Sequence, residues 1–201
     1  MNNYLIKAYF DDYKIDLYRT FAINGRLTLD KLAYILISIF KAEPGYLYSF
    51  TCGNRRIVSH VDFAVCKALD SRYELDQDIP FAALNLKKGD VLTFSFGPSL
   101  SFVFHLDILD DDYQSDKPIE NADIKEGKGY GIINDLFTLI QYLNCKDDYL
   151  YMPSLGRKVE RKNYFKFDFS AFDVSEYQKE LGEELPILEE GYKKLKPRFL
   201  A

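Results

Sequence analysis

The sequence predicts an α+β fold: a mixed or antiparallel β-sheet cradling a buried helix, with a β-hairpin and peripheral C-terminal helices. Three observations predict it. Residues 29–40 are apolar on every side at helical spacing, which marks a helix buried all round. In residues 101–109, Phe102, Phe104, Leu106 and Ile108 share one face of a strand, and Val103, His105 and Asp107 share the other. The elements run strand, strand, helix, strand and then hairpin, an order that lets one sheet wrap one helix.

Taken in order, Tyr4–Phe10 and Leu17–Ile23 read as strands joined through Tyr13-Lys14-Ile15-Asp16, and Asn24-Gly25 breaks the pattern. Thr28 offers an N-cap hydroxyl and Asp30 suits the positive end of the helix dipole. The helix that follows carries Leu29, Leu32, Ala33, Leu36 and Phe40, and Pro44-Gly45 is its expected stop. Tyr46–Cys52 reads as a strand. Ser59–Leu69 reads as a short helix, with Ser59 and Asp62 at capping-box spacing. A helical turn is expected over Pro80–Leu84, closed by Lys88-Gly89-Asp90. Val91–Phe96 and Ser101–Leu109 form the hairpin, with Gly97-Pro98-Ser99 at its tip. Asp110–Lys128 reads as a polar connection and Ile132–Leu143 as a second helix. Ser175–Leu181 and Pro186–Leu195 read as short surface helices, with Pro186 at a first helical position.

At 201 residues the chain fits a single domain, with a core over 4–145 and a C-terminal extension over 146–201. Hydrophobic residues at 47% and charged residues at 28% are globular values that need no disulfide or metal staple. A formal net charge of −5 lacks the global basic signature of nucleic-acid binders and disfavours anionic lipid. Cys52, Cys66 and Cys145 are odd in number and widely spaced, so reduced thiols in a cytoplasmic protein are expected. The N-terminus lacks a leader pattern, and the longest apolar run, Leu32–Phe40, is too short to span a bilayer.

Several clusters carry candidate chemistry. Asp107, Asp110, Asp111 and Asp112 are expected to end a strand, with Asp116, Glu120 and Asp123 downstream. Converging carboxylates would suit a hard divalent cation and a metal-assisted hydrolase or nuclease, but the spacing fits no calcium loop and equally suits a solvated strand end. Gly127-Lys128-Gly129-Tyr130-Gly131 could offer amides to an anion, yet it lacks the Lys-Ser/Thr of a phosphate loop and suits a tight, positive-φ turn. His60 and His105 are the two histidines, and no signature joins them to Cys52 or Cys66 as a catalytic pair or a zinc site. Cations and aromatics interleave from Arg157 to Lys166, a pattern able to grip a nucleic-acid strand, with Glu160 interrupting and Arg55-Arg56 as a further contributor. His105, Asp107, Asp123 and Tyr130 are therefore the candidate polar pocket, and Arg157, Lys158, Arg161 and Lys162 the candidate nucleic-acid patch. No catalytic set, metal or cofactor is expected, and the partner is unknown.

A set of spaced pieces carries a resemblance. They are Leu17-Tyr18-Arg19, Leu27-Thr28-Leu29, Tyr46-Leu47-Tyr48-Ser49-Phe50, the hairpin, Asp123, Gly129-Tyr130, Phe167-Asp168 and Phe172-Asp173. Through their order over about residues 4 to 173, the chain resembles the plasmid ORF-3-like family, first described from an Agrobacterium Ri plasmid and also as transposon-passenger TnpR-like proteins. The chain departs from the family at its polar positions. Ser95 and Pro98 stand where the family has Asp, Leu100 and Phe102 where it has an aromatic and a His, and Tyr46 where it has a His. The family's Pro-Pro-Glu-Asp-x-Gly-Gly run is reduced to Asp123 and Gly129-Tyr130. The resemblance implies an α+β fold and an association with mobile elements. It implies no reaction. Because the family's His and Asp positions are replaced and no complete catalytic constellation is visible, a non-catalytic binding module is the expected function, the alternative being a metal-assisted hydrolase or nuclease that uses the acids.

Overall fold

The computed structural model describes residues 2–132, 136, 139, 140, 143, 149–152, 157–160 and 172–197. Eight strands form one mixed sheet: β1 (Asn3–Phe10), β2 (Tyr18–Asn24), β3 (Tyr48–Cys52), β4 (Arg55–Val58), β5 (Tyr73–Leu75), β6 (Val91–Phe96), β7 (Phe102–Tyr113) and β8 (Ala122–Lys128). Their order across the sheet is β5-β4-β3-β6-β7-β1-β2-β8. Every pairing is antiparallel except β4 with β5. That parallel pair is joined by α2 (His60–Leu69), as a parallel connection requires a crossover. A separate hairpin pairs β9 (Tyr149–Met152) with β10 (Arg157–Glu160).

The expected α+β class holds, and so does the buried helix. α1 (Leu29–Ile39) is buried at nine of its eleven positions, because the sheet covers one side and α3 (Val174–Lys194) covers the other. The sheet meets α1 through alternate residues: Tyr4, Ile6, Ala8 and Phe10 of β1, then Phe102, Phe104, Leu106 and Ile108 of β7. Phe104 sits at the centre, its ring 4.5 Å from that of Phe40 and 5.5 Å from that of Phe10. Each such buried ring or aliphatic side chain contributes about 1.5–3 kcal/mol.

The ends of α1 differ from expectation. Thr28 occupies the N-cap, but its hydroxyl donates to the Asp30 carboxylate rather than capping an amide. The first helical amide, that of Leu29, instead donates to the Ile79 carbonyl at 3.1 Å. The helix stops before Pro44-Gly45, at Lys41, whose φ of 53° is left-handed. There Lys41 N donates to Ser38 O and Ala42 N to Ile37 O, the paired bonds of a Schellman ending built without glycine.

Four further segments depart from the sequence reading. β4 and β5 are strands that short, Arg- and Glu-bearing runs do not announce. β7 continues to Tyr113, so the Asp110–Asp112 acids lie within a strand rather than beyond its end. The second half of the supposed polar connection is β8, an edge strand that buries Ala122 and Ile124. The two surface helices are one helix, α3, with Pro186 in its interior. An interior proline costs about 3 kcal/mol, but Tyr177, Leu181, Leu185, Leu188 and Tyr192 are all buried along one side of α3 and outweigh it. α3 is therefore part of the core and not peripheral. Of the helix expected over 132–143, Ile132 is not helical but buried, its amide donating to the Phe40 carbonyl at 2.7 Å; Leu136, Leu139, Ile140 and Leu143 are helical and join the core, and the rest lies outside the described residues. Among the described residues, no helix is long and apolar enough to cross a membrane.

Candidate functional site

The face of the sheet turned away from α1 carries a straight row of side chains. Pairing places Thr93 beside His105, His105 beside Tyr9, Tyr9 beside Tyr18, and Tyr18 beside Lys128, across five strands from β6 to β8. The next row runs Val91, Asp107, Lys7, Thr20 and Glu126. His105 and Asp107, two residues apart on β7, thus come together with Tyr9 and Lys14. Asp107 accepts the Tyr9 hydroxyl at 3.2 Å and pairs with the Lys14 ammonium. The Tyr9 and His105 rings lie 5.5 Å apart. Lys14 also sits over the Tyr9 ring, and Lys7 lies 3.9 Å above that of Tyr18. Partial burial, then the Asp107 charge, raises the Tyr9 hydroxyl pKa, and the bond to Asp107 raises that of Lys14.

Asp123 and Tyr130 do not join this cluster. Asp123 shares the outer face, but β1 and β2 separate its strand from that of Asp107, roughly 14 Å at the usual strand spacing. It pairs with Lys125 at 2.6 Å. Tyr130 lies on the helix side, where it lines a cavity of about 340 Å³ with Ile37, Ser38, Lys41 and Leu188. Two further acids are engaged locally. Asp111 accepts the Lys88 amide and pairs with Lys87, both at 3.1 Å, which tethers the turn before β6 and holds its carboxyl pKa down. Asp110 accepts the Asp112 amide at 3.0 Å. Among the described residues, no three His, Cys, Asp or Glu side chains are placed to hold a metal ion, and this includes the Cys52, His60, Cys66 and His105 combination.

The glycine run has a structural task, and a strand does precede it. Arg19, on the inward face of β2, is fully buried. Its five N–H bonds all reach backbone carbonyls: Nε to Ile39 at 2.9 Å, Nη1 to Tyr18 and Lys128 at 2.8 Å, and Nη2 to Gly129 at 2.7 Å and Tyr130 at 2.9 Å. Phe172, Tyr177 and Phe40 surround the guanidinium, with ring centroids 4.3, 4.8 and 5.2 Å away. Burial lowers its pKa to about 10, still a cation at neutral pH. The chain leaving β8 therefore folds over Arg19, and its carbonyls, not its amides, point at a charge. Gly129 and Gly131 supply the positive φ that this wrap needs.

A second buried polar group escaped the sequence reading. Asp76, in the turn after β5, accepts the Tyr48 hydroxyl at 2.6 Å, and Tyr48 packs edge-on against Tyr34 of α1 and Tyr192 of α3. Nothing near it in sequence distinguishes Asp76 from the exposed acids around it. Arg19 carried a signal, a cation at an inward position between Leu17 and Phe21, although its partners are not readable from the chain.

Arg157 and Lys158 fall on β10, opposite Met152 and Tyr151 in the pairing. Arg161 and Lys162 lie outside the described residues, as does Cys145. Arg55 pairs with Glu74 of β5 at 2.8 Å rather than joining a basic patch.

No family model matches the chain, and no curated protein does. Among solved structures, the chain is similar to MM3350, a protein of unknown function from Methanosarcina mazei Go1. The two are 11% identical over 86% of this chain and 94% of that one, with a TM-score of 0.63. At that identity the likeness establishes a shared fold and nothing more.

Proposed function

We propose that the chain is a non-catalytic binding module, a divergent member of the plasmid ORF-3-like family tied to mobile elements, and that its contact surface is the outer face of the sheet around Tyr9, Lys14, His105 and Asp107. One observation carries this reading. The polar side chains that a reaction would need are engaged with one another: Asp107 with Tyr9 and Lys14, Asp123 with Lys125, Asp111 with Lys87. They form a lattice of donors, acceptors and rings suited to contact, rather than groups aimed at one reacting atom.

The competing reading is the metal-assisted hydrolase. Phosphodiester and carboxylester substrates incubated with Mg²⁺, Mn²⁺ or Zn²⁺ are expected to show no turnover, and calorimetry no saturable heat from the metals alone. Turnover that Asp107→Asn or Asp110→Asn abolishes would replace the binding reading. The nucleic-acid form of the binding reading is tested by anisotropy of labelled single- and double-stranded oligonucleotides at low salt. Loss of binding in Tyr9→Ala and Tyr18→Ala would locate it on the sheet face. Loss in the quadruple alanine variant of Arg157, Lys158, Arg161 and Lys162 would locate it on the basic segment. Absence of any change rules nucleic acid out as the ligand.

A further inference from the structure

Asp76 has 1% of its surface exposed. One carboxyl oxygen accepts the Tyr48 hydroxyl at 2.6 Å, and the other accepts the Gln77 amide at 2.8 Å. Among the described residues no cation neutralises it. From α1, Asp30 faces it as a like charge and Tyr34 as a titratable hydroxyl; from β3 it meets Tyr48. Burial, the largest influence, holds this carboxyl up at about 7.

Tyr48 links Asp76 to the end of α3. Its ring stands edge-on to that of Tyr192 at 5.6 Å, while Tyr34 and Tyr192 stack at 4.9 Å. The Tyr192 hydroxyl in turn donates to the Tyr46 carbonyl and accepts the Gly45 amide, both at 3.2 Å. One connected seam therefore joins the segment after β5, α1, the approach to β3 and the last turns of α3.

We infer that Asp76 is a proton-operated latch: protonated, it seals residues 73–79 against α1 and β3, and ionised, it loosens that seam and the Tyr192 contact with it. A neutral carboxyl is satisfied by the same two partners: one oxygen accepts the Gln77 amide, and the other donates its proton to the Tyr48 hydroxyl oxygen, which turns to accept it. A carboxylate offers about four lone-pair positions to two donors in a water-free setting and faces Asp30 as well. Opening the seam is the direct way to hydrate it.

The test is native-state hydrogen exchange across pH, corrected for intrinsic amide rates. Ionisation is favoured in the open seam and resisted in the closed one, so the opening equilibrium should rise with pH from near 4 and level off above 7. For peptides covering 70–84 and 44–50, protection should fall at least tenfold between about pH 5 and pH 7. Asp76→Asn should hold the protection constant over that range. Asp30→Asn removes the like charge and should move the levelling-off point to lower pH. Independently of any variant, one aspartate carboxyl carbon of the parent protein should titrate near 7 by NMR. The latch is refuted if every aspartate titrates below about 5, if protection of these peptides is flat with pH, or if Asp76→Asn keeps the parent's pH dependence.

Discussion

Arg19 donates to the carbonyl of Gly129 at 2.7 Å from a position 110 residues earlier in the chain. That bond and its four companions tie β2 to the segment leaving β8 and, through Ile39, to the end of α1. Lysine keeps the charge but has three donors on a flexible stem, and it cannot reproduce a planar fork. Arg19→Lys is expected to destabilise the fold by at least about 3 kcal/mol, and Arg19→Met by as much or more, since buried carbonyls are left without donors. Denaturant unfolding would check both. A loss under 1 kcal/mol for either would show that the arginine is not a structural clasp.

The glycines separate into two kinds. A Cβ on Gly131 would stand 2.3 Å from the Phe40 carbonyl oxygen, at a φ of 151°. Backbone would have to move, so Gly131→Ala should destabilise by about 2 kcal/mol or more. Gly182 lies in α3 with nothing within 4 Å of a Cβ. Gly182→Ala should stabilise by about 0.5–1 kcal/mol, a rise in Tm of roughly 1–4 °C. Thermal melts of the two variants should move in opposite directions.

Gln178 of α3 treats the edge of β8 as a missing strand would. Its side-chain oxygen accepts the Ile124 amide at 2.9 Å, and its nitrogen donates to the Ala122 carbonyl at 3.0 Å. An uncovered edge invites pairing with another chain. Gln178→Ala should cost about 1–3 kcal/mol and make light scattering rise with protein concentration. Gln178→Asn, too short to span both groups, should behave in the same way.

Asp76 also sets a global pH dependence. Its carboxyl is raised from 3.8 to about 7 by folding. An acid raised in the folded state contributes stability that is present below its unfolded value and lost as pH climbs to its folded value. The span of about 3 pH units corresponds to up to about 4 kcal/mol. The stability of Asp76→Asn relative to the parent should therefore grow from about pH 4 to about pH 7 and stay constant beyond. A difference that stays flat over that interval would mean that the acid is already ionised in the fold.

The surface pair Lys14–Asp107 should contribute little. Half of the lysine side chain is exposed, and such pairs yield about 0–1 kcal/mol. Asp107→Asn should leave the unfolding midpoint within that range, so any effect it has on ligand binding can be assigned to the contact face itself.

The sequence by itself determined the central helix, the β6–β7 hairpin and the first two strands. Their signals are periodic and local: apolar residues at every turn of 29–40, and alternation through Phe102, Phe104, Leu106 and Ile108. Only the tertiary structure decided what those faces meet. Pro186 reads as a helix start until buried Leu181, Leu185 and Leu188 carry one helix through it. The glycine run reads as a loop until Arg19 is found beneath it, and Asp76 reads as one more surface acid until Tyr48 closes over it. His105 and Asp107 are neighbours because a strand's two-residue period puts them on one face, whereas Asp123 and Tyr130 are set apart by strand order and by the side of the sheet. Periodicity specifies that a face will be buried; the partner that buries it, or leaves a charge to be satisfied by carbonyls 110 residues away, is specified only by the packed whole.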